Sequence, residues 1–114
     1  MYNPLPDSLT IKTSKVNGLG LFATEGIGQG TDLGICHIEL GQLIIRTPLG
    51  GFINHSNDAN CVKVKLLLTR AQWNHRADLP KADYNVDFKK WDLFTLQDIK
   101  EGEELTVKYT FDKI

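Results

Sequence analysis

Gly50-Gly51-Phe52-Ile53-Asn54-His55-Ser56-Asn57-Asp58-Ala59-Asn60 is the stretch on which the reading of this chain turns. An apolar pair, Phe52-Ile53, runs directly into a series of polar side chains. Polar groups drawn under an apolar surface must find hydrogen-bond partners there. His55 is a lone histidine, and a lone histidine is more often a hydrogen-bonded structural residue than a ligand or base. His37 and His75 lie at no spacing that would build a zinc site with it. Taken alone, the Asn54-His55 pair is equally compatible with a structural and a functional role.

Outward from this stretch the chain reads as short strands broken by glycine. Leu9-Thr10-Ile11-Lys12-Thr13 alternates as a half-buried strand does, and Leu21-Phe22-Ala23-Thr24 follows a glycine-rich bend. Leu33 to Ile38, Leu43-Ile44-Ile45, Val62 to Leu68, Trp91 to Leu96 and Leu105 to Phe111 are further strand candidates. The segment from Thr69 to Lys90 is a solvated excursion of mixed charge, in which Arg70 to Arg76 has room for two helical turns before Pro80. Strands without regular intervening helices predict a mainly β fold of several small sheets.

With 114 residues the chain forms one domain, spanning 1–114 with 69–90 as a variable excursion within it. Apolar and charged fractions of 41% and 24% are those of an ordinary globule. A formal charge of -1 provides no basic face for nucleic acid. No apolar run approaches the roughly 20 residues that span a bilayer, and the N-terminus has no secretion signal. Cys36 and Cys61 are too few for a zinc cluster or a disulfide framework and read as buried free thiols. No metal site is expected, and the expected location is intracellular, in the cytoplasm or in the nucleus of a eukaryotic host.

Two further segments stand out. Gly18-Leu19-Gly20-Leu21-Phe22-Ala23 sets two glycines where backbone can approach a ligand closely. It is no dinucleotide fingerprint, because a third glycine and a following helix are missing. Gly102-Glu103-Glu104-Leu105-Thr106-Val107-Lys108-Tyr109 is a turn followed by a strand that ends in tyrosine. Read alone, Tyr109 is packing with its hydroxyl at the rim, and Glu103 and Glu104 are solvated or paired at a strand entrance.

Together, these segments and Phe52-Ile53-Asn54-His55-Ser56 occur in the order of the SET-domain protein-lysine methyltransferase family. The resemblance runs from about Leu9 to Phe111 and looks closest to the minimal, stand-alone viral and bacterial members. It implies a SET, β-clip-like fold in which a knot-like C-terminal threading brings the motifs together. The implied cofactor is S-adenosyl-L-methionine, and the implied activity is N-methylation of a lysine on a protein substrate, a histone or another viral or bacterial host protein. The resemblance assigns Gly18, Leu19, Gly20 and Leu21 to the methionine end of the cofactor and Asn54 to its amino acid part. His55 would meet the adenine, largely through main chain, and Tyr109 would be the catalytic tyrosine, also touching cofactor. The alternative is a catalytically weak SET-like module that binds cofactor or a protein partner.

The chain departs from the family at Asn57, where many members have cysteine, and at Ala59, where they have proline. Five residues follow Tyr109, too few for the cysteine-rich tail that walls the lysine channel in chromatin enzymes. The stretch between Ile38 and Gly50 is too short for the inserted subdomain of larger members. A channel lacking both walls would have to be closed by the 69–90 excursion or by a second subunit, so a homodimer is expected.

Overall fold

The computed structural model describes residues 5–16, 18–40, 43–68 and 88–109. Among these described residues, eight strands and one short helix follow in the order β1 (Leu9–Thr13), β2 (Leu19–Ala23), β3 (Asp32–Leu40), β4 (Leu43–Arg46), α1 (Pro48–Phe52), β5 (Asn54–His55), β6 (Cys61–Leu68), β7 (Phe88–Thr95) and β8 (Glu104–Val107). Hydrogen-bonded neighbours run β1-β2-β8-β6-β7-β3-β4, with β5 attached to β8. The antiparallel groups β1-β2-β8 and β6-β7-β3-β4 meet at β8 through very short parallel contacts. Asn54 and His55 pair with Thr106 and Val107, and Cys61 pairs with Val107. Small ladders joined by such junctions are the expected mainly β arrangement.

Alternation explains the core. Leu9 of β1, Leu21 and Ala23 of β2, and Leu105 and Val107 of β8 all turn inward, and Leu93 of β7 and Ile53 meet them there. Each buried leucine or isoleucine contributes about 1.5–3 kcal/mol relative to exposure. The β3–β7 register shifts between Asp32 and Gly34 and again between Ile35 and His37. These irregularities re-aim β3 so that consecutive residues, Cys36 and His37, are both buried. Both cysteines are free and buried, and burial pushes each thiol up to about 12.

Three features differ from the sequence reading. First, α1 fills part of a stretch read without a helix. Pro48 opens it, and Leu49 packs into the core at 2% exposure. Gly50 lets the helix press on β3, since a Cβ at that position would run into the Cys36 carbonyl and the His37 ring. Second, β7 begins at Phe88, so residues 88–90 belong to the sheet and not to the excursion. The two helical turns read at Arg70 to Arg76 lie outside the described residues. Third, β8 ends at Val107, and Tyr109 has left the ladder. Its backbone N–H donates to a side chain, Nδ1 of His55, at 2.9 Å.

Candidate active site

The site grows from the turn that precedes β2. The Ser14 N–H donates to the Gly18 carbonyl at 2.7 Å, and the Ser14 hydroxyl accepts the Val16 N–H. Gly18 takes a left-handed φ of 47°, a conformation that disfavours side chains. Val16 and Leu19 stand exposed on this turn at 60% and 50%.

Beneath it, Gly20 leaves room for two side chains. A Cβ there would collide with the Glu104 carboxylate and the Asn54 carboxamide. The Asn54 Nδ2 donates to the Leu19 carbonyl at 3.2 Å and to Glu104 Oε2 at 2.9 Å. The Ser14 hydroxyl donates to the same carboxylate. Thus the close approach read at Gly18 and Gly20 is taken up at Gly20 by the protein's own polar groups, while Gly18 has open space around it. Leu21 is fully buried and serves the core.

His55 and Tyr109 form the other half. His55 Nδ1 accepts the Tyr109 N–H, and Nε2 lies 3.2 Å from Asn57 Oδ1. With Nδ1 an acceptor, the proton of a neutral ring belongs on Nε2. The two rings lie 5.0 Å apart at 54°. The Tyr109 hydroxyl donates to the Ile53 carbonyl at 2.7 Å, so a half-exposed ring is anchored at both ends. Lys63 Nζ stands 5.2 Å from the Tyr109 ring centroid. Beside them opens a cleft of about 330 Å³, lined among others by Asn57, Lys63, Trp91, Val107 and Lys108.

The structure therefore brings Gly18, Leu19, Gly20, Asn54, His55 and Tyr109 together, and places Leu21 behind them. Three residues not read as site residues from the sequence take part in the arrangement, one of them Glu104, read as solvated or paired and found paired. Glu104 is the shared acceptor for Ser14 and Asn54. Asn60, 6% exposed, clasps β8: its Oδ1 accepts the Thr106 N–H at 2.8 Å, and its Nδ2 donates to the Glu104 carbonyl at 2.9 Å. Lys63 is the third. The only signal for them was their position within or next to the polar motifs. Among the described residues, no group of three His, Cys, Asp or Glu side chains is placed to hold a metal ion. Nor, among them, is any helix long and apolar enough to cross a membrane.

Comparison with known proteins gives the arrangement a family. A Plasmodium falciparum protein proposed to be a histone methyltransferase superposes with a TM-score of 0.65 at 17% identity, over 91% of this chain and 98% of its own. A chain of the apo ctPRC2 assembly with a mutated Ezh2 gives a TM-score of 0.57 at 20% identity, over 90% of this chain but only 15% of its own. These likenesses establish a shared fold. No curated protein sequence matches the chain. The family model described as SET domain matches residues 41–110, well over half of the sequence and including α1, Asn54, His55, β8 and Tyr109. The chain belongs to the SET domain family.

Proposed function

We propose that this protein is an S-adenosyl-L-methionine-dependent methyltransferase that modifies a lysine side chain of a protein substrate. One observation carries the reading: Asn54, His55 and Tyr109 and the Gly18–Gly20 turn, drawn from three distant segments, meet within hydrogen-bond distance of one another or of shared partners. Family membership supports it, as does the description of the Plasmodium falciparum protein.

The residues present suit the cofactor. A purine and a methionine zwitterion need apolar and aromatic faces next to polar main-chain atoms. Exposed Val16 and Leu19, the His55 and Tyr109 rings, and the main chain of Leu19 and Ile53 supply both. When bound, the cofactor supplies an electrophilic methyl group on a sulfonium. In this reading Gly18, Leu19 and Asn54 hold its amino acid end, and the main chain at His55 meets the adenine.

The protein's own part is positioning. Methyl transfer is an in-line displacement, so alignment of the amine dominates what a site can contribute. Free lysine, with a pKa near 10.4, is neutral to only about 0.04% at pH 7. An apolar cleft wall such as Val107 and Trp91 favours the neutral amine by desolvation. Tyr109, pinned through its hydroxyl to Ile53 and through its N–H to His55, is a rigid wall against which that amine aligns. The closing contribution of a second copy of the chain belongs to the same proposal, and light scattering reads it.

The test is direct. Calorimetry with S-adenosyl-L-methionine should show binding, and incubation with cofactor and a histone octamer or a host lysate should add methyl groups to lysines. A folded protein that fails to bind the cofactor overturns the proposal. Binding without transfer to any protein leaves the SET-like binding module in its place.

A further inference from the structure

Among the described residues there are lysines at 12, 15, 63, 65, 89, 90, 100 and 108, and they are not equivalent. Lys89 and Lys90 are held by carboxylates, with Nζ 3.2 Å from Glu39 and from Asp92 respectively. Lys12, Lys15, Lys65, Lys100 and Lys108 are exposed. Lys65 lies over the Trp91 ring at 5.7 Å.

Lys63 differs from all of these. Strand β6 carries it two residues beyond Cys61, which pairs with Val107 at the end of β8, so both side chains leave the same face of the strand. That direction takes its amine to the Tyr109 ring, 5.2 Å from the centroid, at the wall of the cleft. The residue is half-buried, and no carboxylate among the described residues pairs with it. Burial lowers the pKa of its ammonium, and the positive charge of Arg46 acts in the same direction against the opposing influence of Cys36. A lysine amine that is desolvated, unpaired and set against the candidate catalytic tyrosine has the properties required of an acceptor in this site.

We propose that Lys63 is itself methylated by this site, in cis, its Nζ receiving the methyl group beside Tyr109. The inference rests on the reading of the chain as an S-adenosyl-L-methionine-dependent methyltransferase. The ammonium first releases a proton to water. The nitrogen lone pair then forms the new N–C bond as the methyl–sulfur bond breaks, and that bonding pair leaves on sulfur. The products are N-methyl-lysinium at position 63 and S-adenosylhomocysteine. The net result is one methyl transferred and one proton released, with no oxidant, reductant or metal involved. Methylation keeps the cation but adds apolar bulk against the ring, so modified Lys63 fits the same cation–π position.

The experiment uses the purified full chain with S-adenosyl-L-methionine. Intact mass should rise by whole methyl groups, and peptide fragmentation should place the first at Lys63. The rate per molecule should stay constant on dilution, vanish in Lys63→Arg, and fall at least about tenfold in Tyr109→Phe. A readout independent of turnover is available without cofactor. The pH midpoint for acetylation of Lys63 by acetic anhydride, mapped by mass spectrometry, should lie below that of the exposed lysines. Unmodified Lys63 in a preparation that binds cofactor and methylates added histone overturns this inference and leaves the proposed function standing. Absence of cofactor binding overturns both. A rate that rises with protein concentration across a range where light scattering shows one constant oligomeric state, or an acetylation midpoint at or above that of the exposed lysines, overturns the cis acceptor.

Discussion

Asn54 and Glu104, fifty positions apart in the chain, share a hydrogen bond of 2.9 Å beneath Gly20. The carboxylate that accepts from Asn54 also accepts from Ser14, so one side chain on β8 fastens both the turn before β2 and the start of β5. Truncating it takes a shared acceptor away from both donors. We expect Glu104→Ala to cost about 1–3 kcal/mol, because the donors to this part-buried carboxylate keep their other contacts, and Glu104→Gln distinctly less. Urea unfolding of the two variants checks this; equal losses would show that acceptor geometry matters little here.

Asn54 should be more sensitive to charge than to size. Asn54→Asp places a second carboxylate against Glu104 and removes the amide donor to Leu19, whereas Asn54→Ala only withdraws one donor from Leu19 and Glu104. Cofactor affinity is expected to fall at least about tenfold in the alanine variant and further in the aspartate variant. Calorimetry on folded protein, with circular dichroism as the control, measures both.

Tyr109→Phe deletes one hydroxyl and its bond to the Ile53 carbonyl while leaving the backbone bond to His55 available. Turnover should drop at least about tenfold with little change in cofactor affinity, because the hydroxyl aligns the reacting groups more than it binds the ground state. Single-turnover kinetics against cofactor titration separates the two effects. Normal turnover would remove Tyr109 from the chemistry.

Gly50→Ala should be among the most damaging small substitutions in the chain. The added methyl meets a backbone carbonyl, that of Cys36, as well as the buried His37 ring, so α1 must withdraw from β3. A loss of about 2–3 kcal/mol is expected, set against near-neutrality for Gly51→Ala, whose Cβ position faces open space. Thermal melts of the pair give the comparison.

Acid should destabilise the fold through His37. Burial first, and the charges of Lys63 and Arg46 after it, hold this imidazole at about 4 against 6.5 for the free side chain, and its Nδ1 has no hydrogen-bond partner among the described residues. Since the unfolded chain binds the extra proton first, this contribution is complete above about pH 6.5 and is lost as pH falls toward 4. The full effect is about 3 kcal/mol at 1.36 kcal/mol per unit. Asp92 opposes it, its carboxyl raised by burial and by a hydrogen bond with Asp32. Melting temperature should therefore decline over this window in the parent protein and decline less in His37→Gln. Parallel curves would assign the acid sensitivity elsewhere.

What could be read in the amino-acid string follows from where the determinants lie. Strand β1 is legible to the residue, because Leu9 and Ile11 alternate with polar neighbours and the period is entirely local. Helix α1 is not legible, because two of its five residues are glycine and its place is set by contact with β3. The end of β8 is hidden for a similar reason. Thr106-Val107-Lys108-Tyr109 continues the alternation, and what stops the strand is an acceptor on His55, 54 positions away. The motifs around Gly18, Asn54 and Tyr109 stand out as polar or glycine breaks in apolar runs. Glu104 and Lys63 do not, because a carboxylate at a strand entrance and a lysine in an alternating strand look the same whether they face water or a site.

The central slot held by β8 has a kinetic consequence. Strand β8 lies late in the chain, yet it sits between β2 and β6, and Asn60 clasps it there. Between the β1–β2 hairpin and the β6-β7-β3-β4 ladder, the hydrogen-bonded link is that strand, so the sheet stays in two parts until it arrives. Folding must then close its longest loops before its middle exists, which places such topologies among the slow folders, in the range of about milliseconds to seconds. No half-folded intermediate possesses half a binding site, because Glu104, Thr106 and Tyr109 all come in with the last strand. A small molecule that recognises the pocket recognises only the finished chain, and its whole binding free energy acts as a clamp against unfolding.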